Sequence, residues 1–118
     1  MIVNNAMSLL PYLHLGNAIV ESAAPYRNAR KGQRGTKAGC QIDLLVQTAR
    51  TAYVVEIKRQ REIGHEIEDE VSRKIANLPL RAGMTPRPVL VYDGHLSPSV
   101  EGSGFFDVIV PASKLLGL

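Results

Sequence analysis

The stretch QIDLLVQTARTAYVVEIKRQ, residues 41–60, constrains the chain more than any other. Two runs rich in Val, Ile, Leu and Tyr, at about 41–47 and 52–58, are separated by a few turn residues and read as two strands. So tight a connection demands an antiparallel pair. Side chains alternate across a strand, so Ile42, Leu44 and Val46 share one face of the first, and Gln41, Asp43, Leu45 and Gln47 the other. In the second, Tyr53, Val55 and Ile57 oppose Val54, Glu56 and Lys58. Matching the apolar faces requires an even loop, and centring it on Ala49–Arg50 sets Asp43 across from Glu56 and Gln41 across from Lys58. A slip of one residue would push Glu56 onto the face of Ile42 and Leu44.

Carboxylates directly opposed, with Cβ atoms about 5 Å apart, destabilise a sheet. A shared proton, a cross-strand cation or a bound divalent metal would offset the repulsion. Lys58, about 6.8 Å along the same strand face from Glu56, neutralises part of it. Mg²⁺ takes one or two protein carboxylates, keeps several waters and accepts phosphate oxygens. Two carboxylates, a neighbouring lysine and a basic approach therefore make a coherent phosphodiesterase site.

The basic approach is visible in the charge distribution. The first 42 residues hold one acid, Glu21, whereas Arg27, Arg30, Lys31, Arg34, Lys37, Arg50, Lys58, Arg59 and Arg61 are nine of the fourteen Lys and Arg residues. A basic half of a small domain suits a nucleic-acid binder. The glycine-rich run YRNARKGQRGTKAG reads equally well as a solvated loop.

Other elements follow from pattern. Residues 4–15 suggest a short helix interrupted at Pro11, and residues 18–28 a weakly patterned first strand. Ile63, Ile67, Val71, Ile75 and Leu78 form one apolar stripe of a helix. Its outer face would carry the acid-first pairs Asp69–Arg73 and Glu70–Lys74, which is a sufficient structural reason for those acids. Beyond LRAGMTPRP come a buried strand at Val89–Tyr92, a last strand in FFDVIV, and a closing helical turn with Pro111 at its first position. The order helix, strand, strand, strand, helix, strand, strand indicates an α/β domain with a mixed sheet.

Asp43 followed after twelve residues by Glu56-Ile57-Lys58, in this element order, resembles the PD-(D/E)xK nuclease superfamily. More narrowly, GCQIDLLVQT and YVVEIKRQREIG resemble the C-terminal nuclease-like domain of a class of prokaryotic AAA-type ATPases, along which the whole chain can be laid. The resemblance implies a restriction-endonuclease-like mixed sheet flanked by helices, with residues 1–118 as one domain or as a piece of a longer ATPase-type protein. It implies that Asp43 and Glu56 ligate Mg²⁺ or Mn²⁺ with the Ile57 carbonyl as a third ligand. Lys58 would orient the attacking water and stabilise charge on the phosphate, and Gln60 would add a polar contact. Arg27, Arg30, Lys31, Arg34, Lys37, Arg59 and Arg61 would hold DNA, with RNA left open. An AAA-type ATPase is the implied partner, and a homo-oligomer stays open. Members usually carry an acidic residue on the first helix, and MIVNNAMSLLPYLHL has none. The readings are thus a metal-dependent DNA endonuclease-type domain, or a catalytically reduced relative binding nucleic acid or a partner protein.

Remaining features are bounds. At 118 residues the chain suits a single domain. Its lone Cys40 excludes an internal disulfide and fits a reducing compartment, hence the expectation of a cytoplasmic protein without membrane contact. His14, His65 and His95 lack zinc-ligand spacing, and no GK[ST] follows the glycines of the basic run. Replacing Arg30, Lys31 and Arg34 by Ser is expected to flatten the salt dependence of DNA binding by about three units or fewer. Affinities measured across a salt series check this, and an unchanged slope would mean that the segment faces solvent only.

Overall fold

In a computed structural model, which describes residues 6–28 and 40–115, the apolar runs assemble into one five-stranded mixed sheet. The strands are β1 (Ser22–Asn28), β2 (Cys40–Gln47), β3 (Thr51–Ile63), β4 (Thr85–Leu96) and β5 (Val108–Pro111), side by side in chain order. β1–β2 and β2–β3 are antiparallel, whereas β3–β4 and β4–β5 are parallel. The parallel pairs need crossovers, and helices α2 (Glu66–Ala76) and α3 (Pro98–Glu101) lie in them. At the ends are α1 (Ala6–Leu9), which tightens into a 3₁₀ turn at Leu10–Tyr12, and α4 (Ala112–Leu115). Pro11 sits at the start of that turn, where its missing N–H costs least. Pro111 ends the edge strand β5 and precedes the helix it was expected to begin.

Both faces of the sheet are covered. On one, Ile42, Leu45, Val54 and Leu90 meet Ile67 and Val71 of α2. On the other, Leu44, Val46, Tyr53, Val55 and Val89 meet Leu9, Leu13 and Leu115. Burial on both sides explains the near-continuous apolar runs of β2 to β4, which a half-exposed sheet would not need. The helical stripe expected over residues 63–78 is shorter as a helix. Ile63 is the last residue of β3 and Leu78 follows α2, yet both are buried in the same cluster as Ile67 and Val71.

Where the β2–β3 ladder forms, its register is the expected one, Leu44↔Val55, Leu45↔Val54, Val46↔Tyr53 and Gln47↔Ala52, but the expected pairs Asp43–Glu56 and Gln41–Lys58 fall beyond its end and do not form. One face assignment differs. Between the β1–β2 pairs Ala24↔Leu45 and Tyr26↔Ile42 the register shifts, so β2 carries an extra residue there. Such a bulge re-aims side chains, and Ile42 joins Leu45 and Val54 while Leu44 and Val46 face the opposite layer. The pattern of the isolated strand could not show this, because the bulge is a property of the pairing with β1.

β3 and β4 also run longer than the expected 52–58 and 89–92. Past β2 and β5 they continue as a two-stranded ribbon, Glu62↔His95 and Ile63↔Leu96, anchored by buried Ile63 and Leu96. Gly94 is held at φ +138 against the Gln60 carbonyl, where a Cβ would collide with that oxygen. Gly94→Ala is therefore expected to destabilise the fold by about 3 kcal/mol. Gly83→Ala, at φ +88 with open space around it, should cost about 1 kcal/mol. Urea denaturation of the two variants checks the ranking, and equal losses would remove the clash from the account.

Candidate functional site

Beyond Leu44↔Val55 the ladder between β2 and β3 stops. In an antiparallel pair, alternate residues turn both N–H and C=O to the partner, so Ile57 should meet Ile42 next. The bulge draws that part of β2 toward β1, and the Asp43 side chain takes the vacated role: Ile57 N donates to Asp43 Oδ2 at 2.8 Å. The Ile57 carbonyl projects to the same edge as its N–H, into the opening that Asp43 spans.

Glu56 points the other way from Ile57, under α2, and is only 4% exposed. A carboxylate so placed needs a partner, and Lys74 on the last turn of α2 provides it, Nζ donating to Glu56 Oε1 at 2.8 Å. Lys74 also lies 3.9 Å from Glu70 Oε2, and Lys58 Nζ lies 3.2 Å from Glu70 Oε1. Charges thus alternate along Glu56, Lys74, Glu70 and Lys58. The backbone of Lys74 is tied to the sheet, its carbonyl accepting from Cys40 Sγ at 3.3 Å. Burial pushes the Cys40 thiol up, which suits a structural residue better than a nucleophile. Alongside opens a groove of about 460 Å³ lined by residues of β2 and α2, among them Gln41, Asp43, Glu70, Arg73 and Lys74.

Burial raises the Glu56 carboxyl from its ordinary value to about 7; the Lys74 hydrogen bond and charge oppose the rise, and the charge of Asp43 adds to it. For Glu70 burial acts upward too, but its hydrogen bonds to Glu56 and Lys58 override it and leave the group below the ordinary carboxylate value. Burial works against the Lys74 ammonium, yet the Glu56 hydrogen bond and the charges of Glu56, Asp43 and Glu70 hold it above the usual lysine value. A proton in this cluster accordingly favours Glu56, and negative charge favours Glu70.

The repulsion expected between Asp43 and Glu56 is therefore relieved differently from any single device the strand pattern suggests. Asp43 is satisfied by a backbone N–H, and Glu56 by burial-favoured protonation together with a cation from α2. Lys58 shares the site, but its ion pair is to Glu70. Glu70 and Lys74 are the residues a strand-by-strand reading misses, having been placed on the outer face of their helix. Their spacing contains the signal: 67, 70, 71, 74 and 78 follow the i, i+3, i+4, i+7 rule of one inward stripe. No Asp69–Arg73 ion pair forms among the described residues.

The basic residues separate into three groups. Arg27 is exposed on β1 and pairs across the strands with Gln41, which lines the groove. Arg59 and Arg61 are exposed on the β3 ribbon, Arg59 lying 3.6 Å from Asp93. Arg30, Lys31, Arg34 and Lys37 lie outside the described residues; the flanking positions Asn28 and Cys40 pair with each other beside the groove. Gln60 is spent locally, Nε2 donating to the Glu62 carbonyl at 2.7 Å. The described helix α1 carries no acid, as its sequence requires.

Among the described residues, no three His, Cys, Asp or Glu side chains are placed to hold a metal ion together, and no helix is long and apolar enough to cross a membrane. Asp43, bonded to Ile57 N, and Glu56, whose carboxyl feels the Asp43 charge, offer with the Ile57 carbonyl an all-oxygen donor set, the chemistry that suits Mg²⁺ or Mn²⁺ with several retained waters. Compared with protein-family models, curated proteins and solved structures, the chain finds no match.

Asp43→Ala should strand the Ile57 N–H and cost about 1–3 kcal/mol. Asp43→Asn keeps an accepting oxygen and removes one charge near Glu56, so its stability should lie within about 1 kcal/mol of wild type. Denaturation in chelator measures both, and an Ala variant as stable as the Asn variant would show that the bond contributes nothing.

Proposed function

We propose that the chain is a metal-dependent endonuclease-type domain that hydrolyses DNA phosphodiester bonds, with a restriction-endonuclease-like fold and an AAA-type ATPase as its working partner. The observation that carries this reading is that Asp43 bonds the Ile57 backbone where β2 and β3 part, next to Glu56, whose carboxyl feels the Asp43 charge, with Lys58 on the same strand. The meander β1–β2–β3 followed by the parallel crossover through α2 supports the fold assignment.

Asp43, Glu56 and the Ile57 carbonyl would hold Mg²⁺ or Mn²⁺. A divalent ion so bound supplies a water of lowered pKa and Lewis-acid stabilisation of the phosphate. Lys58, steadied by Glu70 at 3.2 Å, places a positive charge for the attacking water and the developing phosphate charge. Arg27, Arg59 and Arg61 on the exposed strands, together with the basic residues 30–37 of the sequence, would attract a polyanion. A second reading is favoured by one observation: Lys74 already neutralises Glu56. In that case the domain is a metal-free relative that binds nucleic acid or a partner protein through the same surface.

Glu56 must be ionised to serve as a ligand, and its carboxyl is raised to about 7. Mn²⁺ affinity and cleavage are therefore expected to fall about tenfold per pH unit below 7 and to level off above it. Stability runs the opposite way in chelator. A carboxyl whose folded value is raised favours the fold at pH below its unfolded value, and this contribution is lost as pH rises through about 7, amounting to a few kcal/mol at most. Plasmid nicking and Mn²⁺ calorimetry across pH 5–9 test the reading, with Glu56→Gln and Lys58→Met expected to lose about a hundredfold or more in rate. Nicking that survives in Glu56→Gln would place the chemistry elsewhere. Wild-type protein that binds DNA but no Mn²⁺ would leave the second reading.

A further inference from the structure

Resting on the metal-dependent reading, we propose that Lys74 is a tethered competitor for the divalent ion: its ammonium holds Glu56 in the metal-free protein and must leave that oxygen before the ion binds. The contact is direct, 2.8 Å from Nζ to Oε1, on the carboxylate that the ion would share. Glu56 is 4% exposed, so water has little room to replace a partner, and the carboxylate exchanges one cation for another. Repulsion between the ion and an ammonium on the same oxygen drives the exchange.

The surroundings of Lys74 allow its side chain to move while its backbone stays. Its carbonyl is fixed from both directions, accepting from Cys40 Sγ at 3.3 Å and from Asn77 N at 3.2 Å. A second carboxylate waits nearby, Glu70 Oε2 at 3.9 Å, on the wall of the groove that Lys74 itself lines. Movement of the ammonium toward Glu70 would keep it in the groove that Glu70 and Arg73 also line, leaving a cation where a substrate phosphate would enter. Lys58 does not compete in this way, since its ion pair is with Glu70 Oε1 at 3.2 Å. Metal binding and the release of Lys74 into the groove are then linked, each favouring the other.

Mn²⁺ affinity at pH 8, measured by calorimetry on wild type, Lys74→Gln and Lys58→Gln, tests the idea. Gln at 74 keeps a donor for Glu56 and removes the competing charge. Losing a charged hydrogen bond from the competition should tighten Mn²⁺ binding about ten- to a hundredfold. Lys58→Gln removes an equal charge from the same cluster without touching Glu56 and should tighten binding only severalfold. Equal tightening by both variants would reduce the effect to general charge and overturn the proposal. So would unchanged or weaker binding by Lys74→Gln, with the metal reading intact. No Mn²⁺ binding by any of the three would overturn both. Amine acylation of wild-type Lys74, followed by mass spectrometry, gives a readout that needs no variant to fold. Labelling should rise severalfold on saturation with Mn²⁺, and labelling that stays level while Mn²⁺ binds would overturn the exchange.

Discussion

A carboxylate buried between sheet and helix governs much of the rest of this structure. Glu56 lies on β3 under α2, in a position whose strand neighbours are core residues. An ionised group there is tolerated only with a cation at hydrogen-bonding distance, or it takes up a proton. Both responses are present: Lys74 lies at 2.8 Å and the carboxyl is raised to about 7. Glu70 and Lys58 extend the compensation outward to solvent, so that one buried charge organises one face of the helix.

The bulge in β2 is the second constraint. Without it, Asp43 would be an ordinary ladder residue and Ile57 would find its partner in the Ile42 backbone. The extra residue opens the seam between β2 and β3 and puts a carboxylate oxygen where a carbonyl would have been. A parted seam and a carboxylate turned into it arise from that single irregularity. Bulges commonly re-aim side chains in this way beside functional sites.

Helix α2 serves two layers of the design at once. Ile67 and Val71 bury its apolar stripe against the sheet, while Glu70 and Lys74, one position along the same stripe, reach the charged cluster. Its dipole favours the arrangement, with acids in the first turn and Arg73 and Lys74 in the last. The Cys40–Lys74 hydrogen bond links the end of the helix to the beginning of β2, so the groove walls are joined where they meet.

Much of this was legible in the order of residues. The hairpin, its register, the antiparallel pair, the crossover helix and the mixed α/β sheet follow from local apolar patterning and from connection length. So does the placing of Glu56 and Lys58 on one face of β3, toward α2. These features depend on period and spacing, which a single strand or helix already contains. What only the tertiary structure decided is how the charges are satisfied. Ile42 changed faces because β1 pairs with β2 through a bulge, and Asp43 found the Ile57 N–H because that bulge opened the ladder. Lys74 reached Glu56 from eighteen residues away because α2 folds back over β3. Apolar patterning sets which face is inward, but the partner of a buried charge is chosen by distance in space, and distance in space exists only once the layers have packed.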